Sequence, residues 1–247
     1  MNKQDIEKLN YEFKDKSPKE IICYALERFG TNRTILASSL SIEDQVLTEI
    51  FVKNSTNPRI FFIDTGRHFQ NTYDLMEETS HRYGFKYEVY APSNEQLEKI
   101  VSEYGPNMFY ESVDLRKKCC EVRKVEPLKR VLATVDVWVC GLRREQSTTR
   151  KDIELFEWDY THEILKINPL AYWSEEQVWE YIRSKNIPYN SLYNKDFRSI
   201  GCQPCTRAVR EGEDIRSGRW WWEDPDKKEC GLHVAKVFKE HSCKENK

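Results

Sequence analysis

The sequence predicts an α/β protein: a mostly parallel sheet with helices on both faces and a C-terminal tail. Three observations carry this expectation. Short apolar runs alternate with longer amphipathic segments, the pattern of βαβ units. Helix starts are written as capping boxes at Ser17, Ser93 and Ser174, each with Glu or Gln three residues on. After Gly201 the alternation stops, and a charged stretch holding Trp220-Trp221-Trp222 follows.

Taken in order, Ser17-Pro18-Lys19-Glu20 places proline at a first helical position, and Gly30 ends the helix. Thr34–Ala37 is short, apolar and β-branched at its start, a buried strand, and Glu43–Val52 a helix. Arg59–Ile63 reads as the second strand, Asn71–Tyr83 as a helix stopped by Gly84, and Lys86–Tyr90 as the third strand. Ser93-Asn94-Glu95-Gln96 caps another helix. Asp136–Cys140 is the fourth strand, and Ser174-Glu175-Glu176-Gln177 opens a helix reaching about Lys185. No internal repeat or low-complexity stretch appears. The expected division is an α/β domain over 1–200 and a C-terminal segment over 201–247.

Composition narrows the classes. Of 247 residues, 39% are hydrophobic, enough for a core, and 32% are charged. A formal charge of -2 argues against a nucleic-acid coat. The polar start Met1-Asn2-Lys3-Gln4-Asp5 leads into no secretory apolar region, and no run is long enough to span a bilayer. A cytoplasmic protein with no nucleic-acid or membrane partner is the expectation. In that compartment eight cysteines read as metal ligands or redox groups rather than disulfides.

Five of those cysteines stand out. Cys119-Cys120 and Cys202-Gln203-Pro204-Cys205 are two close pairs, and Cys230 stands alone in Lys-Glu-Cys-Gly-Leu-His. A zinc site usually takes both pairs as C-x2-C. Two adjacent thiolates diverge, which suits the several corners of an iron–sulfur cube. A zinc staple or buried free thiols are the alternatives. Cys23 and Cys140 read as small core residues and Cys243 as incidental. Lys227, Lys228 and His233 around Cys230 favour its thiolate, although an exposed, unreactive cysteine would look the same.

In parallel sheets ligands sit beyond the carboxyl ends of the strands. Three segments fall there: Ser38-Ser39-Leu40-Ser41, Asp64-Thr65-Gly66-Arg67, and Gly141-Leu142-Arg143-Arg144-Glu145. The amides after Ser38 and Ser39 would suit a phosphate or sulfate, against the plainer reading of serine N-capping. Lys124, Arg143, Arg144, Arg216 and Arg219 are candidate oxyanion ligands.

These motifs, in this order, resemble an assimilatory adenylyl-sulfate (APS) reductase of the bacterial iron–sulfur type. The resemblance covers nearly the whole chain. It runs through Ser-Ile-Glu-Asp-Gln-Val-Leu (41–47), Ile-Asp-Thr-Gly-Arg (63–67) and Cys-Cys-Glu-Val-Arg-Lys (119–124). It continues through Gly-Leu-Arg-Arg-Glu-Gln-Ser (141–147), Gly-Cys-Gln-Pro-Cys-Thr-Arg (201–207), Gly-Arg-Trp-Trp-Trp-Glu (218–223) and Glu-Cys-Gly-Leu-His (229–233). One departure is Ser41, where such loops often carry glycine.

The resemblance implies a Rossmann-like adenine nucleotide α-hydrolase-like fold. It implies a [4Fe–4S] cluster on Cys119, Cys120, Cys202 and Cys205, and Cys230 as the nucleophile. Ser38, Ser39, Asp64, Thr65 and Gly66 would meet the substrate, with the basic candidates and His233. The implied reaction, in sulfate assimilation and cysteine biosynthesis, reduces adenosine 5′-phosphosulfate to sulfite and AMP through a cysteine S-sulfonate. Thioredoxin or a similar dithiol would resolve that intermediate. A homo-oligomer is compatible with all of this. The competing readings are a 3′-phosphoadenylyl-sulfate (PAPS) reductase, a PP-loop ATP pyrophosphatase and a non-enzymatic metal-binding module. PAPS-restricted members typically lack the two cysteine pairs, and the chain lacks the Ser-Gly-Gly-x-Asp-Ser loop of the pyrophosphatases.

Overall fold

The structure is a computed structural model that describes residues 1–147 and 150–224. Helices α1 (Lys3–Phe13) and α2 (Pro18–Phe29) lead into β1 (Thr34–Ala37), α3 (Ile42–Asn54), β2 (Ile60–Ile63), α4 (Gln70–Tyr83), β3 (Glu88–Tyr90) and α5 (Asn94–Tyr104). Then come α6 (Val113–Cys120), a π-helical turn over Glu121–Val125, α7 (Glu126–Leu132) and β4 (Val137–Val139). β5 (Phe156–Asp159), β6 (Ile164–Ile167) and α8 (Glu175–Lys185) complete the list. The expected strands and helices all form, with ends shifted by a residue or two, as hydrogen bonding at element ends dictates. The box at Ser17 is reciprocal with Glu20, and that at Ser174 with Gln177. At Ser93 only the bond from Gln96 N to Ser93 Oγ is made.

The six strands lie in the order β3-β2-β1-β4-β6-β5. All neighbours are parallel except β5, which runs antiparallel to β6 at one edge. The chain steps outward from β1 to β2 and β3, then returns to place β4 on the other side of β1. That reversal opens a crevice at the carboxyl ends of β1 and β4. On one face α2, α3 and α8 bury Ile21, Ile22, Val46, Phe51, Val178 and Ile182 with Leu36, Val137 and Ile167 of the sheet. On the other, Leu128, Val131 and Leu132 of α7 pack on Ile35, Phe61 and Trp138. A third, small cluster joins Phe109 and Trp220 to Cys202 and Cys205, with Cys119 and Trp222 against it. Among the described residues, no helix is long and apolar enough to cross a membrane.

Helices α1, α6 and α7 and the β5–β6 hairpin are additions to the sequence expectation. The hairpin turn uses no glycine. Asp159 Oδ1 accepts from the amides of Thr161 and His162 at 2.9 and 3.1 Å, and Glu163 takes the left-handed conformation (φ 56°). The free edge of β5 is covered by α1. Asn10 Nδ2 donates to Phe156 O and its Oδ1 accepts from Phe156 N, both at 2.9 Å, so one side chain pairs as a strand would.

This edge contact generates a prediction. Asn10→Ala removes both partners of Phe156 and should lower stability by about 1–3 kcal/mol, read as a lower urea midpoint at unchanged slope. An unchanged midpoint would mean that solvent satisfies the edge equally well.

Candidate active site

A cavity of about 240 Å³ occupies the crevice between β1 and β4. Its wall brings together Ser38, Ser39, Thr65, Lys124, Arg143, Arg216 and Arg219, seven of the residues singled out in the sequence.

The loop after β1 is built differently from an open anion cradle. Ser41 is the N-cap of α3, accepting from Asp44 N. Ser39 donates from both N and Oγ to Asp44 Oδ2, each at 2.7 Å, and Leu40 N donates to Ser38 Oγ at 3.2 Å. Leu40 adopts a left-handed φ of 62° to make this turn. The amides that a phosphate would use are thus largely engaged by the chain's own groups. Asp44 is buried, and burial pushes its carboxyl up to about 6, against the pull of the Ser39 bonds. A β-carbon at Gly141 would stand 2.3 Å from Asp44 Oδ1, so only glycine lets the β4 loop approach this closely.

On that β4 loop the two arginines part. Arg143 has extended backbone (φ -130°, ψ 148°) and a 3₁₀ turn begins at Arg144, so the two side chains leave the chain in different directions. Arg143 turns into the wall, 3% exposed, with Nε donating to Glu43 Oε1 at 2.9 Å. Arg144 turns away: it donates to Ile153 O at 2.7 Å and Glu154 Oε1 at 2.6 Å, and stacks on Tyr172. Arg144 is therefore not in the cavity wall.

Asp64 and Gly66 also stand outside that wall. Asp64 Oδ1 accepts from Gly66 N at 2.8 Å and Tyr73 OH at 2.7 Å, which shapes the turn after β2. Gly66 (φ 68°) lies against Arg123. Thr65 is the member of this trio that reaches the cavity. Its carbonyl accepts from Arg123 NH1 at 2.6 Å, and its hydroxyl lies 3.3 Å from Cys202 Sγ.

The fold draws both cysteine pairs to one small cavity of about 20 Å³, lined by Cys119, Cys120, Cys202 and Cys205. Arg67, Arg116, Arg123 and Lys124 line it too. The π-helical turn follows Cys120 directly and carries Arg123 and Lys124 to this wall. Such turns recur at functional sites because the extra residue re-aims side chains. Burial pushes Cys119 up, and pushes Cys205 up to about 12 with help from Cys202. Cys202 is buried as well, yet Lys124, the Thr65 hydroxyl and Arg219 outweigh burial and hold its thiol below the ordinary value. Among the described residues, no three His, Cys, Asp or Glu side chains converge on a single-ion position.

The segment after Cys205 closes the site. Thr206 bridges to Arg219, Arg207 N donates to Gly218 O at 2.9 Å, and Trp220 N donates to Cys205 O at 3.2 Å. Arg219 is 7% exposed, and its Nε is buried with no hydrogen-bond partner among the described residues. Gly201 makes room for it: a β-carbon there would meet the guanidinium at 2.4 Å. Trp220 is buried, Trp222 half-buried and Trp221 exposed, so the tryptophan run is anchored mainly by its first member. Lys124 and Trp220 line both cavities. Cys230 and His233 lie outside the described residues.

The wall also holds residues that sequence reading did not propose for the site: Asp44, His68, Gln146, Arg150, Tyr193 and Arg198. Burial lowers His68 to about 4, aided by Lys124, against its hydrogen bond to Ile63 O. The one available sequence signal was the Ser39–Asp44 spacing at a helix start.

The profile of the phosphoadenosine phosphosulfate reductase domain matches residues 33–208. The adenosine 5′-phosphosulfate reductase of Allochromatium vinosum is 52% identical over 199 residues, 81% of this chain and 78% of that protein. The crystal structure of a phosphoadenylyl-sulfate reductase from Candida auris, a phosphate complex, superposes with a TM-score of 0.73 at 27% identity, over 85% of this chain and 98% of that one. An FMN adenylyltransferase of Candida glabrata, solved with FMN and an ATP analogue, shares the fold at 17% identity and a TM-score of 0.52, covering 79% and 67% of the two chains.

Asp44 gives this site a pH signature. Its folded value of about 6 lies above the ordinary 3.8, so the folded state holds the proton more tightly. Asp44 therefore weakens the fold as pH rises from about 4 to 6, by up to about 3 kcal/mol. Asp44→Asn should flatten this part of the stability–pH curve, measured by urea unfolding from pH 4 to 7. Parallel curves for the two proteins would show that Asp44 titrates normally.

Proposed function

The chain belongs to the phosphoadenosine phosphosulfate reductase domain family, and from that premise we propose that it reduces adenosine 5′-phosphosulfate to sulfite and AMP in sulfate assimilation. One observation carries this reading. The larger cavity and the cysteine cavity share a wall at Lys124 and Trp220, and beside it Arg219 holds a buried guanidinium whose Nε has no hydrogen-bond partner among the described residues.

Charge orients the substrate. Around the β1 loop the wall is acidic or neutral, with Ser38, Ser39, Glu43 and Asp44. Hydroxyl and amino groups of a nucleoside suit those acceptors, and a phosphate does not. Towards the cysteines stand Lys124 and Arg219, with Arg216 in the same wall, and these cations suit a phosphosulfate. Arg143, already paired with Glu43, joins the two loops and backs this wall, while Thr65 meets the adenosine on a turn shaped by Asp64 and Gly66.

Cys230, in the Glu-Cys-Gly-Leu-His motif with His233, is the nucleophile of the reading. Its thiolate attacks the sulfate sulfur. A sulfur–sulfur bond forms, the bond to the bridging oxygen breaks, and AMP leaves with that electron pair. Lys124, Arg216 and Arg219 stabilise charge on the departing and sulfonate oxygens, a fixed donor of this kind being worth about 3 kcal/mol. A dithiol protein of the thioredoxin class then attacks Cys230 Sγ, and sulfite departs with the sulfur–sulfur pair. The second thiol of that donor frees Cys230 as a thiol, so the dithiol supplies both electrons.

Cys119, Cys120, Cys202 and Cys205 are the ligand set for a [4Fe–4S] cluster. The donor chemistry fits: four cysteines, cations that offset thiolate charge, and the Trp220 Nε1–H, buried in that wall without a hydrogen-bond partner among the described residues, suited to a sulfur acceptor. When bound, such a cluster supplies a crosslink between α6 and the 202–205 turn and an electrostatic partner for Lys124. The protein's own cations do the rest, by holding the substrate's anionic end.

Two experiments test the reading. Protein purified without oxygen should contain about four iron and four sulfide per chain; stoichiometric zinc without sulfide would point to a different metal site. Incubated with adenosine 5′-phosphosulfate and no thiol, the protein should gain one SO3 group on Cys230 and release a single burst of AMP. The 3′-phosphorylated nucleotide should react far more slowly. A Cys230→Ser variant that still makes sulfite at the full rate would instead assign the attack to the external thiol.

A further inference from the structure

We propose that Arg116 and Glu223 form a buried latch that positions Arg219 for the anionic end of the substrate, acting through the indole of Trp220. The inference rests on the role given to Arg219 above, and neither latch residue lines the nucleotide cavity.

The geometry is a relay from a carboxylate to the cavity. Glu223 accepts two bonds from Arg116, at 2.9 Å from Nε and 2.7 Å from NH2. Both side chains are almost wholly buried, at 1% and 3% exposure. The Arg116 guanidinium lies 4.7 Å from the centroid of the Trp220 ring, and that of Arg219 lies 4.6 Å from the same centroid. Arg219 then lines the cavity.

Three features make this more than an internal ion pair. Trp220 sits at a left-handed φ of 40°, a conformation that persists only where its surroundings impose it. The chain has to be held on both sides of it: Trp220 N bonds to Cys205 O on one side, and Glu223 N bonds to Trp220 O at 2.8 Å on the other. Secondly, two guanidinium groups share one indole. Glu223 neutralises the first, so the second keeps its place without repulsion and remains the charge directed at the cavity. Thirdly, a buried ion pair is commonly no more stabilising than apolar residues of the same volume. What a bidentate fork supplies is one fixed register, and the register fixed here is that of residues 219–223 against α6.

The test is a double-mutant cycle on nucleotide binding, with protein carrying its cluster. ADP serves as the probe, since its β-phosphate takes the place of the sulfate without turnover, and AMP, which lacks that group, is the control. Calorimetry would give Kd for wild type, Glu223→Gln, Arg219→Ala and the double variant, with iron content and melting measured on each. The latch predicts that Glu223→Gln weakens ADP about tenfold or more, leaves AMP nearly unchanged, and adds nothing once Arg219 is alanine. Equal losses for ADP and AMP, or an undiminished effect in the Arg219→Ala background, would overturn it. If Glu223→Gln does not fold, Glu223→Asp keeps the charge, withdraws the carboxylate by one methylene, and faces the same criteria. Wild-type protein that binds neither ADP nor adenosine 5′-phosphosulfate would overturn the reading of the site and the latch with it. Normal wild-type binding with additive variants would overturn the latch alone.

Discussion

Burial of sulfur beside fixed positive charge is the constraint on which this molecule's functional half is built. Four cysteines line a cavity too small for solvent to moderate their ionisation, and Arg67, Arg116, Arg123 and Lys124 stand around it. The three arginines also do a second thing. Arg67 reaches Pro106 O and Asn107 Oδ1, fixing the approach to α6. Arg123 holds the Thr65 carbonyl and with it the turn after β2. Arg116 grips Glu223. The same charges that stand beside these buried thiols therefore tie a strand loop, a helix and the C-terminal segment together.

The sheet contributes the place and the polarity. Reversal of strand order between β1 and β4 opens the crevice, and the two loops that leave those strands differ in charge from the segments opposite them. Asp44 occupying the Ser39 amide is the deciding detail. A helix start that would ordinarily attract an anion is answered from within, so positive charge in this cavity comes from side chains, Lys124, Arg150, Arg198, Arg216 and Arg219 among them. This distinguishes the site from a phosphate cradle of the same topology without any change of fold.

Much of this was legible in the sequence wherever the signal was local. Caps at Ser17, Ser93 and Ser174, stops at Gly30 and Gly84, and short apolar strands gave the alternation, and the two cysteine pairs that stood out do line one cavity. What escaped was carried by long-range or unusual backbone. The β5–β6 hairpin turns on the Asp159 side chain and a left-handed Glu163, so the glycine that usually marks a turn is absent. Helices α6 and α7 are interrupted by a π-helical turn that breaks the 3.6-residue period. Arg143 and Arg144 look alike in sequence, and only the folded loop sends one inward to Glu43 and the other to Glu154. The role of Asp44 was hidden because its partnership with Ser39 shows only in the folded loop.

The stitch between α1 and β5 has a consequence for the order of events at the ribosome. Helix α1 is completed by a strand edge 146 residues downstream of Asn10. At about 5–20 residues per second, α1 waits roughly ten seconds or more before Phe156 exists to receive it. During that interval its apolar residues, Ile6, Leu9 and Phe13, have no sheet to cover. The amino-terminal helix is therefore among the last pieces to dock, and early in synthesis it is the stretch most open to whatever waits at the exit tunnel.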